Sequence, residues 1–220
     1  MLHILEKVGP GIIGDNPLLD DAMRLRKEVF IDELKWPHLM AEDGREIDQF
    51  DTADAVYLIV TSGDDNRVLG NLRLLPTSKP HLLSTVHRGL WSRPYPMGLH
   101  CWEWTRYAIG RQNRGGKSFS DVASDLTLGA VEWGLENGVH DVVVEYDVYL
   151  ITRFAELGFD ITPLGLPVEM EGRQIIAVHM NYGEQALKTL RDVRKAEPPV
   201  AVHQVAGQRI SRSGSDEPAR

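Results

Sequence analysis

Two apolar runs in the middle of the chain constrain the fold most: Ala55–Thr61, AVYLIVT, and Val68–Leu75, VLGNLRLL. The first is rich in branched and aromatic residues, which suit a pleated, packed surface, and the second reads as its partner strand. Ser62-Gly-Asp-Asp-Asn66 between them is turn chemistry. The pair therefore predicts an antiparallel hairpin. A hairpin at this point breaks the strict strand–helix alternation of a doubly wound parallel sheet.

The flanking segments extend that pattern. His3 to Leu5 suits a short edge strand. From Leu18 to Leu34 the apolar positions Leu18, Leu19, Met23, Leu25, Val29, Phe30 and Leu34 recur at helical spacing. Asp15 or Asn16 offers an N-cap, Pro17 suits the first turn, and Pro37 stops the helix by Trp36. Leu39 to Asp54 reads as a loop. His81–Leu90 is weakly helical and Trp91–Leu99 is a Pro-rich loop. Trp102–Ile109 reads as a strand, Ser120–Asn137 as an amphipathic helix closed by Gly138, and Asp141–Val144 as a strand. A helix over Val148–Leu157, strands over Phe159–Leu166 and Gln174–Met180 with a turn at Glu171-Gly172, and a helix over Glu184–Arg194 complete the order. From about Ala196, paired prolines and the ending SRSGSDEPAR read as a flexible tail. The expectation is one α/β (α+β) domain over residues 1–195, a mixed central sheet flanked by helices, followed by a tail over 196–220.

Composition narrows the class. The chain has 220 residues, 42% of them hydrophobic, enough for one sizeable core. A formal net charge of −8 lacks the basic footprint of a non-specific nucleic-acid binder. The one cysteine, Cys101, permits no internal disulfide and fits a reducing compartment. The start MLHILEKVGP has no basic-then-apolar leader, and no run approaches the ~18 apolar residues of a membrane span. A cytoplasmic protein without nucleic-acid or membrane partners is expected. GxxxxGK[ST] does not occur.

The chemistry concentrates in two stretches. Arg26 to Asp51, RKEVFIDELKWPHLMAEDGREIDQFD, mixes cations, carboxylates and aromatics without a regular polar face. It reads either as the lining of a pocket or as a solvated acidic loop after a helix. Cys101 to Ile109, CWEWTRYAI, places Glu103 and Arg106 among aromatics. Carboxylates suit an ammonium or sulfonium, arginine suits a carboxylate, and aromatic faces suit an adenine or a cation. One difficulty follows from strand alternation: Glu103 and Arg106 fall on opposite faces unless a bulge intervenes. Cys101 reads as buried and inert rather than nucleophilic. The scattered histidines predict no metal site. Arg111, Arg114 and Lys117 in the loop GRQNRGGK suit a phosphate or simply a solvated loop.

These stretches resemble the acyl-homoserine-lactone synthases of the LuxI type, the autoinducer synthases. The likeness runs through Met23-Arg-Leu-Arg-Lys-Glu-Val-Phe30, Trp36, Asp43-Gly-Arg-Glu-Ile-Asp-Gln-Phe-Asp51, Gly70-Asn-Leu-Arg-Leu-Leu-Pro76 and Trp102-Glu-Trp-Thr-Arg106, across roughly the first 180 residues. The family's pattern falls on Arg26, Phe30, Trp36, Glu46, Asp48, Asp51, Arg73, Glu103 and Arg106. The resemblance implies an N-acetyltransferase-like fold, splayed between two central strands. It also implies S-adenosylmethionine and an acyl thioester as substrates, with no separate cofactor. The products would be an N-acyl-L-homoserine lactone and methylthioadenosine.

On that resemblance Glu103, Glu46 and Arg106 are the catalytic candidates, with Glu103 as general base. Arg26, Phe30, Trp36, Asp48, Asp51, Arg73, Trp104, Thr105 and Val143 are candidates for substrate binding, part of the set holding walls by ion pairs. Arg111, Arg114 and Lys117 would meet the phosphates of an acyl-CoA, which is favoured over acyl carrier protein because Val148–Leu157 offers only Arg153 as a basic side chain. Val142-Val-Val144 offers no hydroxyl where some 3-oxo-producing relatives carry Thr, so a product without a 3-oxo group is expected. An acetyl-CoA-dependent N-acetyltransferase and a small-molecule sensor domain are the alternatives.

Overall fold

The computed structural model describes residues 1–36, 38–115, 120–194 and 201–205. Leu2–Glu6 forms β1, nearly all of it buried. Asn16 caps α1 (Pro17–Arg26), its Oδ1 accepting from the N–H groups of Leu18 and Leu19 at 3.1 and 3.2 Å. The helix does not continue in α form to Leu34. Lys27–Glu33 widens into a π-helix, which brings Val29 and Phe30 alongside Leu25 onto Ala108. The stretch read as a loop contains a minimal hairpin, Ala41–Glu42 (β2) with Arg45–Glu46 (β3). Asp43 and Gly44 turn it at φ +50° and +78°, the positive pair that a tight hairpin turn requires.

The central hairpin forms as expected: Val56–Thr61 (β4) pairs antiparallel with Val68–Pro76 (β5). Then come α2 (Leu82–Thr85), β6 (Cys101–Ile109), α3 (Asp121–Glu136) and β7 (Asp141–Asp147). The chain ends with α4 (Leu150–Glu156), β8 (Asp160–Pro163), β9 (Val168–Met170), β10 (Arg173–Asn181), α5 (Glu184–Arg194) and β11 (Ala201–Val205). The strand order is β11-β1-β4-β5-β6-β7-β10-β8, with β9 also on β10. The reading of everything after Ala196 as a tail needs correction. Ala201–Val205 lies parallel to β1, whose outer edge would otherwise present unpaired N–H and C=O groups.

Two packing faces result. Leu2, Leu58, Leu72, Trp104 and Val142 belong to the core built on α3 and α5, while Leu5, Tyr57, Ile59 and Leu75 pack with Leu19 and Met23 of α1 and with Phe50. Gly70 lets α3 approach, because a Cβ there would lie 2.6 Å from a Val122 methyl. β6 and β7 run parallel but pair only from Cys101 with Asp141 to Trp104 with Val144. Beyond that point β6 stays with β5 and β7 stays with β10, so the sheet opens between its two central strands.

Candidate active site

Three arginines and three carboxylates converge on the α1 face of β5 and β6. Arg26 ends α1 and is fully buried. Its Nε donates to Glu46 at 2.6 Å, and its two Nη atoms donate to the two oxygens of Asp51 at 2.7 and 2.9 Å. Arg73, also fully buried, donates from Nη1 to Asp48 and Asp51 at 2.6 and 2.8 Å, from Nη2 to Asp48 at 3.0 Å, and from Nε to the Thr105 hydroxyl at 3.0 Å. Arg106 reaches Glu46 at 3.0 Å and Asp48 at 2.7 Å from Nη2. Asp51 also accepts from the Tyr57 hydroxyl at 2.9 Å and from the Asp48 N–H at 2.8 Å. Formal charge cancels within the cluster, as burying six ions requires.

Electrostatics follow from that pairing. Burial alone would raise the Asp51 carboxyl, but Arg26 and Arg73 override it and hold it far below the usual carboxylate range. Glu46 and Asp48 are lowered against the same burial penalty, Glu46 by Arg26 and Arg106, Asp48 mainly by Arg73. Burial beside Asp51 pushes the Tyr57 phenol up, so it remains a donor.

The alternation difficulty is resolved by a bulge. Between the pairs Asn71–Ala108 and Arg73–Thr105, Leu72 of β5 faces both Arg106 and Tyr107 of β6. Arg106 takes φ +52°, left-handed for a non-glycine residue, and the Asn71 side-chain amide donates to its carbonyl at 3.1 Å. The extra residue keeps Arg106 on the face of Thr105 and Glu103, while Tyr107 turns away to donate to the Ala123 carbonyl of α3 at 2.7 Å.

The remaining candidates separate around this centre. Phe30 and Trp36 stack at 5.0 Å, and the Arg106 guanidinium lies 5.7 Å from the Phe30 ring. Glu103 is buried, and its two oxygens accept the N–H groups of Leu82 and Leu83 at 2.9 and 2.7 Å, so it anchors the start of α2. His81 Nδ1 lies 3.2 Å from it but out of hydrogen-bonding alignment. Val143, opposite Glu103 in the ladder, packs with Leu83, Cys101 and Ala177. Trp104 points to the other face, into a ring cluster with Phe154, Phe159 and Tyr182. Arg114 is turned back onto Glu33 at 2.7 Å and Arg111 is exposed. Lys117 lies outside the described residues. Burial pushes the Cys101 thiol up to about 12, as an inert core cysteine requires. Among the described residues no His, Cys, Asp and Glu cluster could hold a metal ion, and no helix is long and apolar enough to cross a membrane.

Sequence reasoning missed Tyr57, visible only as a strand residue of the right parity, and the pair His87 and Glu145, whose contact joins the segment after α2 to β7. Ending the strand at Val144 left Glu145 off the sheet by one residue.

An open mixed sheet, parted between two central strands and carrying this ion cluster beside the gap, defines an acyltransferase of the N-acetyltransferase-like fold. The description "Autoinducer synthase" fits residues 13–190, and the chain belongs to the autoinducer synthase family. It is 36% identical over 195 residues to the isovaleryl-homoserine lactone synthase of Bradyrhizobium diazoefficiens, across 87% of this chain and 84% of that one. It superimposes with a TM-score of 0.80 and 33% identity on the CoA-dependent acyl-homoserine lactone synthase BjaI, solved with SAM and isopentyl-CoA, covering 96% of this chain and 95% of that one. A candidate N-acetyltransferase of Lactobacillus plantarum shares the fold at a TM-score of 0.52 and 19% identity, over 82% of this chain and 99% of that one.

Proposed function

We propose that this acyl-homoserine-lactone synthase acylates the amine of S-adenosylmethionine from an acyl-CoA and closes the product to an N-acyl-L-homoserine lactone, releasing methylthioadenosine as the by-product of quorum-signal synthesis. The observation that carries the reading is the gap between β6 and β7 with the charge-balanced cluster on one side and the Trp104 ring cluster on the other. Phe30 and Trp36 supply the aromatic wall for the sulfonium and adenine. Arg26, Asp51 and Arg73, with no unengaged nitrogen on either arginine, form the rigid floor. Asp48, Arg106 and Glu46 hold the wall nearest the gap.

An ammonium must lose a proton before it can attack the thioester, and Glu103, directly or through a water, accepts it. Main-chain N–H groups where β6 and β7 part stabilise the tetrahedral oxyanion. The methionyl carboxylate then attacks its own γ-carbon and the sulfonium leaves, a step that mainly needs the substrate folded into reach. Acyl-CoA is favoured because Arg111 is exposed beside the gap-bearing strand, and because relatives are named for an isovaleryl product and solved with isopentyl-CoA. The aromatic lining suits a branched or aryl acyl group without a 3-oxo substituent.

The test is methylthioadenosine release on mixing with S-adenosylmethionine and branched acyl-CoAs, with mass spectrometry of an organic extract. The carrier question is decided by kcat/KM for one acyl group on CoA and on acyl carrier protein. A strong carrier-protein preference that salt weakens and neutralising Arg153 abolishes would overturn the CoA assignment.

A further inference from the structure

Glu145 is the first β7 residue beyond the last β6–β7 pairing. It keeps Ala177 of β10 as its neighbour on the other side. Alternation turns its side chain to the face of Val143, and hence of Glu103 and Arg106. That side chain is only 10% exposed. Oε2 is bonded to Nδ1 of His87, whereas Oε1 is buried without a hydrogen-bond partner. A buried acceptor left unpaired costs stability, so it calls for an explanation. His87 is 19% exposed, which gives the pair a solvent edge. Glu103 differs: both of its oxygens already accept main-chain N–H groups.

We propose that Glu145 and His87 are the proton exit of the acylation step: the free Oε1 takes on from Glu103 the proton that the substrate ammonium gives up, and His87 passes it to solvent. The inference rests on the synthase reading above. As the N–C bond forms and the thioester C–S bond breaks, the ammonium loses two protons. One restores the departing thiolate to a thiol and the other leaves through this pair. Glu103 and Arg106 of β6 and Tyr95 from the loop after α2 also face the pair. Burial lifts Glu145 above the ordinary carboxylate value against the opposing pull of His87, which brings it toward the working pH of a proton acceptor. Burial would lower His87, but Glu145 holds it above its ordinary value.

Methylthioadenosine release by the unaltered enzyme comes first, and its absence would count against the synthase reading rather than the pair. kcat/KM is then followed against pH for the unaltered enzyme, Glu145→Gln and His87→Gln, with thermal unfolding as the folding check and calorimetry for S-adenosylmethionine binding. Glu145→Gln should bind S-adenosylmethionine normally, lose about 10²-fold in kcat/KM, and lose the acid limb of the profile. His87→Gln should move that limb to higher pH, because the imidazolium that favours the carboxylate is gone. Unaltered rates, or a lower amplitude with the limb unmoved, would overturn the proposal. Should neither variant fold, the unaltered enzyme decides it: a limb above the ordinary carboxylate value of ~4–4.5 supports the pair, and one at that value overturns it.

Discussion

Asp51 accepts hydrogen bonds from Arg26, Arg73, Tyr57 and the Asp48 N–H, so it is the residue through which the ion cluster is joined. Replacing it with Asn keeps the size but leaves two buried guanidiniums short of a counter-charge. Breaking a buried pair in this way costs about 3–5 kcal/mol, and urea unfolding of Asp51→Asn should show a loss of that order. A loss within the error of the unaltered protein would mean that water, rather than Asp51, satisfies the arginines. Trp36 is different, being half-buried and stacked on Phe30. Trp36→Ala should weaken S-adenosylmethionine binding by about 1–2 kcal/mol and leave acyl-CoA binding nearly unchanged. Equal losses for both substrates in calorimetry would make Trp36 a core residue only.

The elements that matter most are β6 and α2. The β6 bulge sets Arg106 in a left-handed conformation that costs roughly 1–2 kcal/mol, offset by the Asn71 bond and the pairing with Glu46 and Asp48. Glu103 ties β6 to α2. In Glu103→Gln one amide N–H₂ would face a main-chain N–H, which should cost about 1–3 kcal/mol of stability. If Glu103 is also the first proton acceptor, turnover should fall by roughly 10²–10⁴-fold in protein that remains folded. Near-normal turnover in folded Glu103→Gln would leave it the anchor of α2 and nothing more.

For the whole molecule, the cluster predicts the acid response. Asp51, Glu46 and Asp48 all titrate lower in the folded chain than their ordinary values. Their stabilisation is therefore complete above the unfolded carboxylate range and is lost as pH falls through and below ~4. The unfolding midpoint should be flat near neutrality and drop steeply in that window, and added salt should change it little, because buried pairs are weakly screened. Asp51→Asn should flatten the acid limb, and a limb as steep as the unaltered protein's would place the acid sensitivity elsewhere.

The sequence by itself determined the local elements whose cause is local. The branched and aromatic run of Val56–Thr61, the cap at Asn16 and the glycine after α3 act within a few residues, and each appears where its chemistry requires. It also singled out the clustered charges, because cations, carboxylates and aromatics concentrate from Arg26 to Asp51 and from Glu103 to Arg106. Tertiary structure decided the rest. Periodicity could not show that α1 widens into a π-helix, since that depends on Ala108 from a distant strand. The bulge that brings Arg106 to the face of Glu103 depends on β5 supplying one residue against two. β11 exists because β1 had an open edge to pair with, which no tail composition reveals. The contact of His87 with Glu145 joins positions 58 residues apart, and only the packing of the α2 segment over the end of the β6–β7 ladder brings them together.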